Sequence, residues 1–234
     1  MKKGIIYVVH GRPAQESKAN TQCIMEAGKE YAVPQKIAYL AGDEETLEEA
    51  MDALSDCDQI IFLPMLLYAA THYIYDLPPR VKKMRPEKED VILPPLADTK
   101  SYQQGIINRV TAAYQKQPLD IVLAVHGTRH FKEPELLQRA LAKKIEEQLN
   151  CQVMIADIAG ENPFRQVLSF EEERWIEPLF LTDGRLVHKM KDYAAEHAPK
   201  AKWLDTLEGS SLLVKMLKES LAGEFDVSHH GGSY

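Results

Sequence analysis

A short apolar run that ends in His-Gly occurs twice in this chain, and the recurrence constrains the fold more than any other feature. Gly4–Val9 leads into His10-Gly11-Arg12, and Leu119–Val125 leads into His126-Gly127-Thr128-Arg129. A second landmark repeats in the same sense. Ile61-Phe62-Leu63-Pro64-Met65-Leu66-Leu67 is echoed by Trp175-Ile176-Glu177-Pro178-Leu179-Phe180-Leu181. His126 lies 116 residues after His10, and Pro178 lies 114 after Pro64. Two landmarks at nearly one offset indicate a duplicated unit. A length of 234 residues accommodates two small domains. The pattern restarts at Gln115-Lys116-Gln117-Pro118, so the expected domains are 1–117 and 118–234.

Within each half, apolar runs of strand length alternate with longer stretches of helical period. In the first half strands are expected at Gly4–Val9, Gln35–Leu40, Gln59–Leu63 and Asp90–Leu93. The helices between them fall at Gln15–Tyr31, Glu44–Leu54, a segment after the third strand, and Tyr102–Tyr114. The second half repeats the order with strands at Leu119–Val125, Gln152–Asp157, Trp175–Phe180 and Lys202–Leu204. Its helices are expected at Pro134–Leu149, Phe164–Phe170, Leu186–Glu196 and Ser210–Ala222. Runs that are apolar throughout, without alternation, belong to strands covered on both faces, as in parallel sheets. The expected fold class is α/β: two similar doubly wound domains with parallel sheets, facing each other across a central cleft.

Composition narrows the function. With 28 basic and 35 acidic residues the net charge is −7, which argues against nucleic acid as the main partner. Cys23, Cys57 and Cys151 form no CxxC pair, so a thiolate zinc site or a disulfide framework is not expected. No stretch reaches the ~20 apolar residues of a membrane span, and the apolar run after Met1-Lys2-Lys3 is shorter than a signal h-region. A cytoplasmic protein is expected. The polar tail contains His229 and His230, a surface pair that could catch metal.

His10 falls where the first strand ends, and His72 follows the third strand by a short apolar segment. Ligands of open α/β sheets bind beyond the carboxyl ends of strands, so both histidines belong on one rim. A buried histidine that steadies the turn is the competing reading for His10 alone. Two neutral imidazoles suit a divalent transition metal, and they also suit proton transfer near neutral pH. Asp76, four residues after His72, can orient its ring or simply occupy the turn before Pro78-Pro79. Arg80, Lys82, Lys83, Arg85 and Lys88 form a basic stretch, in which a solvated helix face would explain Lys82, Lys83 and Lys88, while Arg12, Arg129 and Arg185 stand beside the repeated motifs. The chain has no GxGxxG or Gly-Lys-Ser/Thr loop, no GxSxG elbow and no HExxH. A phosphohistidine mechanism would want Arg before His-Gly, where Val9 and Val125 stand.

The duplicated strand–His-Gly, together with Phe62-Leu63-Pro64-Met65-Leu66-Leu67, Thr71-His72-Tyr73 and Asp76-Leu77-Pro78, resembles the class II tetrapyrrole chelatases in their long, two-domain form. The resemblance spans roughly residues 4–220 and is most specific over Pro64–Pro78. It implies a lyase that inserts Fe2+ or Co2+ into sirohydrochlorin, on the way to siroheme or cobalamin, with no cofactor beyond the substrate metal. The family's two essential histidines map by motif onto His10 and His72. The substrate's carboxylates give Arg12, Arg80, Arg129 and Arg185 a binding role, since a guanidinium fork grips a carboxylate in bidentate fashion. Two positions depart from the family pattern: Arg12 stands where Ser is usual after His-Gly, and Leu186 stands where a second copy of His72 would fall. His188 lies two residues further on. One working site per chain, in the first half, is expected. The competing functions are a non-catalytic tetrapyrrole or metal carrier on the same fold, and a two-lobed small-molecule receptor. The choice between monomer and homodimer is open.

Overall fold

The computed structural model describes residues 1–11 and 17–225, so Arg12, His229 and His230 lie outside the described residues. Two parallel four-stranded sheets are present. The first contains β1 (Lys3–Val9), β2 (Gln35–Tyr39), β3 (Gln59–Met65) and β4 (Val91–Ile92) in the order β2-β1-β3-β4. The second contains β5 (Ile121–Val125), β6 (Val153–Asp157), β7 (Arg174–Pro178) and β8 (Ala201–Trp203) in the order β6-β5-β7-β8. The helices are α1 (Lys18–Gly28), α2 (Leu47–Ala53), α3 (Leu77–Met84), α4 (Lys100–Lys116), α5 (Lys132–Leu149), α6 (Phe164–Val167), α7 (Arg185–His197) and α8 (Ser211–Phe225).

The duplication is visible in the strand register. Val8 pairs with Pro64 in the first sheet, and Ala124 pairs with Pro178 in the second. A proline inside a strand removes a ladder donor, yet here it costs none. The N–H of Leu93 donates to Phe62 O, so Phe62 and, two residues on, Pro64 face the β4 side, where β4 has already ended at Ile92. The second sheet repeats the device: Leu204 donates to Ile176 O, and β8 ends at Trp203 short of Pro178. The shared offset read from the two prolines is therefore a shared solution to one backbone problem.

Burial follows from the apolar runs. Ile6, Val8, Ile60 and Phe62 pack with Leu47 and Met51 of α2 and with Leu77 and Val81 of α3. The intervening Ile5, Tyr7, Ile61 and Leu63 are equally buried, on the side where α8 packs against α1 and β3. In the second sheet, Val122, Ala124 and Ile176 pack with Phe164, Leu168, Met190 and Ala194. Two helix starts in the first unit are capped as their sequences direct. Ser17 accepts the N–H of Asn20 ahead of α1, and Thr46 with Glu49 forms a capping box at α2.

The chain divides into two compact units, but not at a single break near 117. One unit is Met1–Tyr102 with the chain from Gly209 on, and the other is Gln103–Glu208. The sheets fall on either side of residue 117, while two helices change sides. Most of α4 packs with the second sheet, where Arg109 reaches Glu177 of β7 and Thr111 meets Gln148 of α5. The last helix returns to the first unit. Gly209 donates to the Asn20 side chain, Cys23 Sγ lies 3.7 Å from Ser210 O, and the Lys3 ammonium sits over the Phe225 ring. Equal halves by sequence thus become unequal units in space.

Candidate metal centre

In the first sheet the chain leaves β1, adds β2 on one side, and then crosses to place β3 on the other. The gap beyond the carboxyl ends of β1 and β3 is thus the topological switch point, where open α/β sheets hold their ligands. Both candidate histidines are at that point. His10 follows β1 directly, and Gly11 after it has φ 113°, a conformation that suits glycine. The turn is tied to the next strand: Leu40 N–H donates to Val9 O, and Ala41 N–H donates to Gly11 O.

His72 is carried by a longer segment that is pinned at several points. Leu96 and Ala97 donate backbone N–H groups to Leu66 O and Leu67 O, and the Tyr68 and Tyr102 hydroxyls meet at 2.6 Å. His72–Asp76 then forms a single π-helical turn, closed by the N–H of Leu77 on His72 O. The sequence accounts for the widening. Pro78 and Pro79 have no N–H to return to the carbonyls of Ile74 and Tyr75, so ordinary α-helical bonding cannot run through this turn. Single π turns inside helices recur at functional sites.

The result is a close pair. His10 Nε2 and His72 Nε2 are 2.8 Å apart, with ring centroids 4.2 Å apart and planes at 71°. His10 is exposed and the His72 side chain is 45% accessible, so the pair is open to solutes. His72 Nδ1 faces Asp76 Oδ2 at 3.3 Å. A proton on Nδ1 would satisfy that contact and would leave Nε2 as the acceptor toward His10. Two imidazole nitrogens this close could both reach one divalent transition-metal ion. Among the described residues no group of three or more His, Cys, Asp or Glu converges on one point. A two-nitrogen site leaves most of an ion's coordination positions for water or another ligand.

The arginines fare unevenly. Arg80 is committed within the protein: Nε and Nη2 donate to Glu48 at 2.8 and 2.5 Å, Nη1 donates to Leu40 O at 3.0 Å, and Nη1 lies 3.6 Å from Asp76 Oδ1. The expectation that it grips a substrate carboxylate does not fit a fork already filled by Glu48. Arg85, which follows in the same basic stretch, is buried and bound to Asp90 at 2.6 Å and to Cys57 O at 3.0 Å. In the second unit Arg129 is exposed and donates to Gly160 O, and Arg185 is exposed at the first turn of α7. His126, the counterpart of His10, turns Nδ1 to Gly127 O at 2.8 Å. Leu186 occupies the second position of α7, and His188 lies 3.6 Å from Asp183. The second unit therefore has no imidazole pair like that of the first among the described residues.

Residues 4–113 match the family model for CbiX. Among proteins of curated function, none matches the sequence. Several solved structures share the fold. SirB from Bacillus subtilis with Fe3+ is 18% identical, with 96% of this chain and 98% of that chain covered at a TM-score of 0.77. The sirohydrochlorin chelatase SirB from Bacillus subtilis subspecies spizizenii, in complex with cobalt, is 19% identical over 95% of each chain at 0.73. CbiX, described as the terminal enzyme for siroheme biosynthesis in denitrifying bacteria, is 18% identical over 94% of this chain and 98% of that one at 0.72. The match to the CbiX family model thus covers the part of the chain that carries both histidines, and the likeness in fold extends over both sheets.

Proposed function

We propose that this protein inserts Fe2+ or Co2+ into the macrocycle of sirohydrochlorin, with His10 and His72 as the catalytic residues and the ligands of the incoming metal. The observation that carries the reading is the pair of Nε2 atoms at 2.8 Å over the β1/β3 switch point. A chelatase must hold its metal by few enough bonds to give it up, and two imidazoles meet that need. As the divalent ion passes to the ring nitrogens, two pyrrole N–H protons leave. The two imidazole nitrogens released from the metal can accept those protons and pass them to water at this open rim. Arg12, Arg129 and Arg185 are the guanidinium groups we assign to substrate carboxylates. We place the enzyme in the cytoplasm, in keeping with its three unpaired cysteines and with the lack, among the described residues, of a helix long and apolar enough to cross a membrane.

The test is an absorbance scan of sirohydrochlorin with Fe2+ and with Co2+, in the presence and absence of the protein. Wild-type protein should speed insertion, and His10→Ala and His72→Ala should each remove most of the rate. Wild-type-like rates in both variants would overturn the site. Tight macrocycle binding without acceleration over the protein-free control would instead identify a carrier.

A further inference from the structure

Arg80 belongs to neither the metal nor the substrate in this geometry, yet it touches both arms of the site. Through Nη1 it faces Asp76, which bonds the Nδ1 edge of His72. The same nitrogen donates to Leu40 O, and the N–H of Leu40 donates to Val9 O, the residue before His10. The other face of the fork, Nε and Nη2, closes on the two oxygens of Glu48 in the first turn of α2. Arg80 holds the Glu48 carboxyl below the ordinary carboxylate range, as a bidentate pair should. A planar guanidinium gripped on one edge has no freedom to swing on the other, so its contacts to Asp76 and Leu40 are fixed together.

We propose that Arg80, locked by Glu48, is a positioning residue that sets the spacing and tautomer of the His10–His72 pair. The inference rests on the reading of those two histidines as the metal-handling groups, and it gives the basic stretch after His72 a purpose other than carboxylate binding. Outer partners of this kind fix ring orientation, and their loss lowers metal affinity by about 10–100-fold in other sites. Lysine cannot substitute, because an ammonium group has no second edge with which to hold Glu48 while it reaches Asp76 and Leu40.

The experiment uses the full chain as wild type, Glu48→Gln, Arg80→Lys and Arg80→Met. Long-range 15N–1H spectra of histidine-labelled, metal-free protein read the tautomer of His72, and Co2+ titration followed by visible absorbance reads affinity and coordination. We expect wild-type His72 to hold its proton on Nδ1. Each variant should give a mixed tautomer, a Co2+ dissociation constant raised about tenfold, and an altered Co2+ spectrum. Glu48 is half-buried and Gln is isosteric with it, so Glu48→Gln decides the matter should Arg80→Met fail to fold. Wild-type tautomer and affinity in Glu48→Gln and Arg80→Lys would overturn the proposal. The NMR readout needs no turnover, so a wild type that fails to insert metal counts against the chelatase reading alone.

Discussion

Glu177 offers the most quantitative test of this structure. Its side chain is fully buried on β7, and Arg109 Nε donates to its two oxygens at 3.0 and 3.3 Å. Burial pushes its pKa from the ordinary 4.5 up to about 7, against the pull of Arg109. A carboxyl raised in the folded state contributes stability that is fully present below about pH 4.5 and is lost as pH rises through 7. At ~1.4 kcal/mol per pH unit the interval amounts to roughly 3 kcal/mol. The chain's two tryptophans, Trp175 and Trp203, lie on β7 and β8, so urea unfolding followed by intrinsic fluorescence reports on the unit that holds Glu177. Glu177→Gln keeps an acceptor for Arg109 and removes the titration. The difference in unfolding free energy between wild type and Glu177→Gln should shift by roughly 3 kcal/mol between pH 4.5 and 8, with wild type losing ground as pH rises. A difference that stays constant over this range would refute the argument that desolvation outweighs the ion pair.

Two further substitutions follow from local geometry. Asp90 accepts both Arg85 Nε and the N–H of Ile60, at 2.6 and 2.7 Å. Asp90→Ala strands a buried guanidinium and should cost about 3–5 kcal/mol by thermal or urea unfolding, and a loss below about 1 kcal/mol would show the pair to be dispensable. Gly127 has φ 69°, and a Cβ there would stand 2.7 Å from Asp157 Cβ and 2.8 Å from Gly160 N. No rotamer relieves a clash with backbone, so Gly127→Ala should destabilise the second unit by more than the ~1–2 kcal/mol of left-handed strain alone, read by the same fluorescence. An effect within about 0.5 kcal/mol of wild type would contradict the tight loop geometry.

The sheets were legible because buried parallel strands announce themselves as unbroken apolar runs. β1 and β5 read directly from Gly4–Val9 and Leu119–Val125, and the His-Gly and proline offsets exposed the repeat. What stayed hidden depends on contacts distant in sequence. The exchange of α4 and α8 leaves no local mark, since an amphipathic helix does not record which sheet it covers. Arg80, expected to grip substrate, and Arg85, one of a basic stretch, gave no sign of their partners, because Glu48 and Asp90 lie 32 residues before and 5 residues after. Asp76 lies four residues after His72, which an α-helix would also bring together, so the proton partner was readable while the π turn was not. Glu177 did carry a signal: it occupies the repeat position of buried Leu63 within an apolar strand, which marks a charge taken into a core.

The return of the last helix bears on the order in which the molecule is built. Gln103–Glu208 is one continuous stretch, so the second unit has all its parts once that stretch has left the ribosome. The unit with the two histidines must wait for α8 and the turn before it, which meet residues some 190 positions earlier: Lys218 pairs with Glu30, 188 positions back, and the Gly209 N–H donates to the Asn20 side chain, 189 positions back. Such long-range closure is slow, because the intervening chain must be ordered before it is rewarded. His10 and His72 thus belong to the unit that is completed later, because it closes only with the segment that follows the other unit.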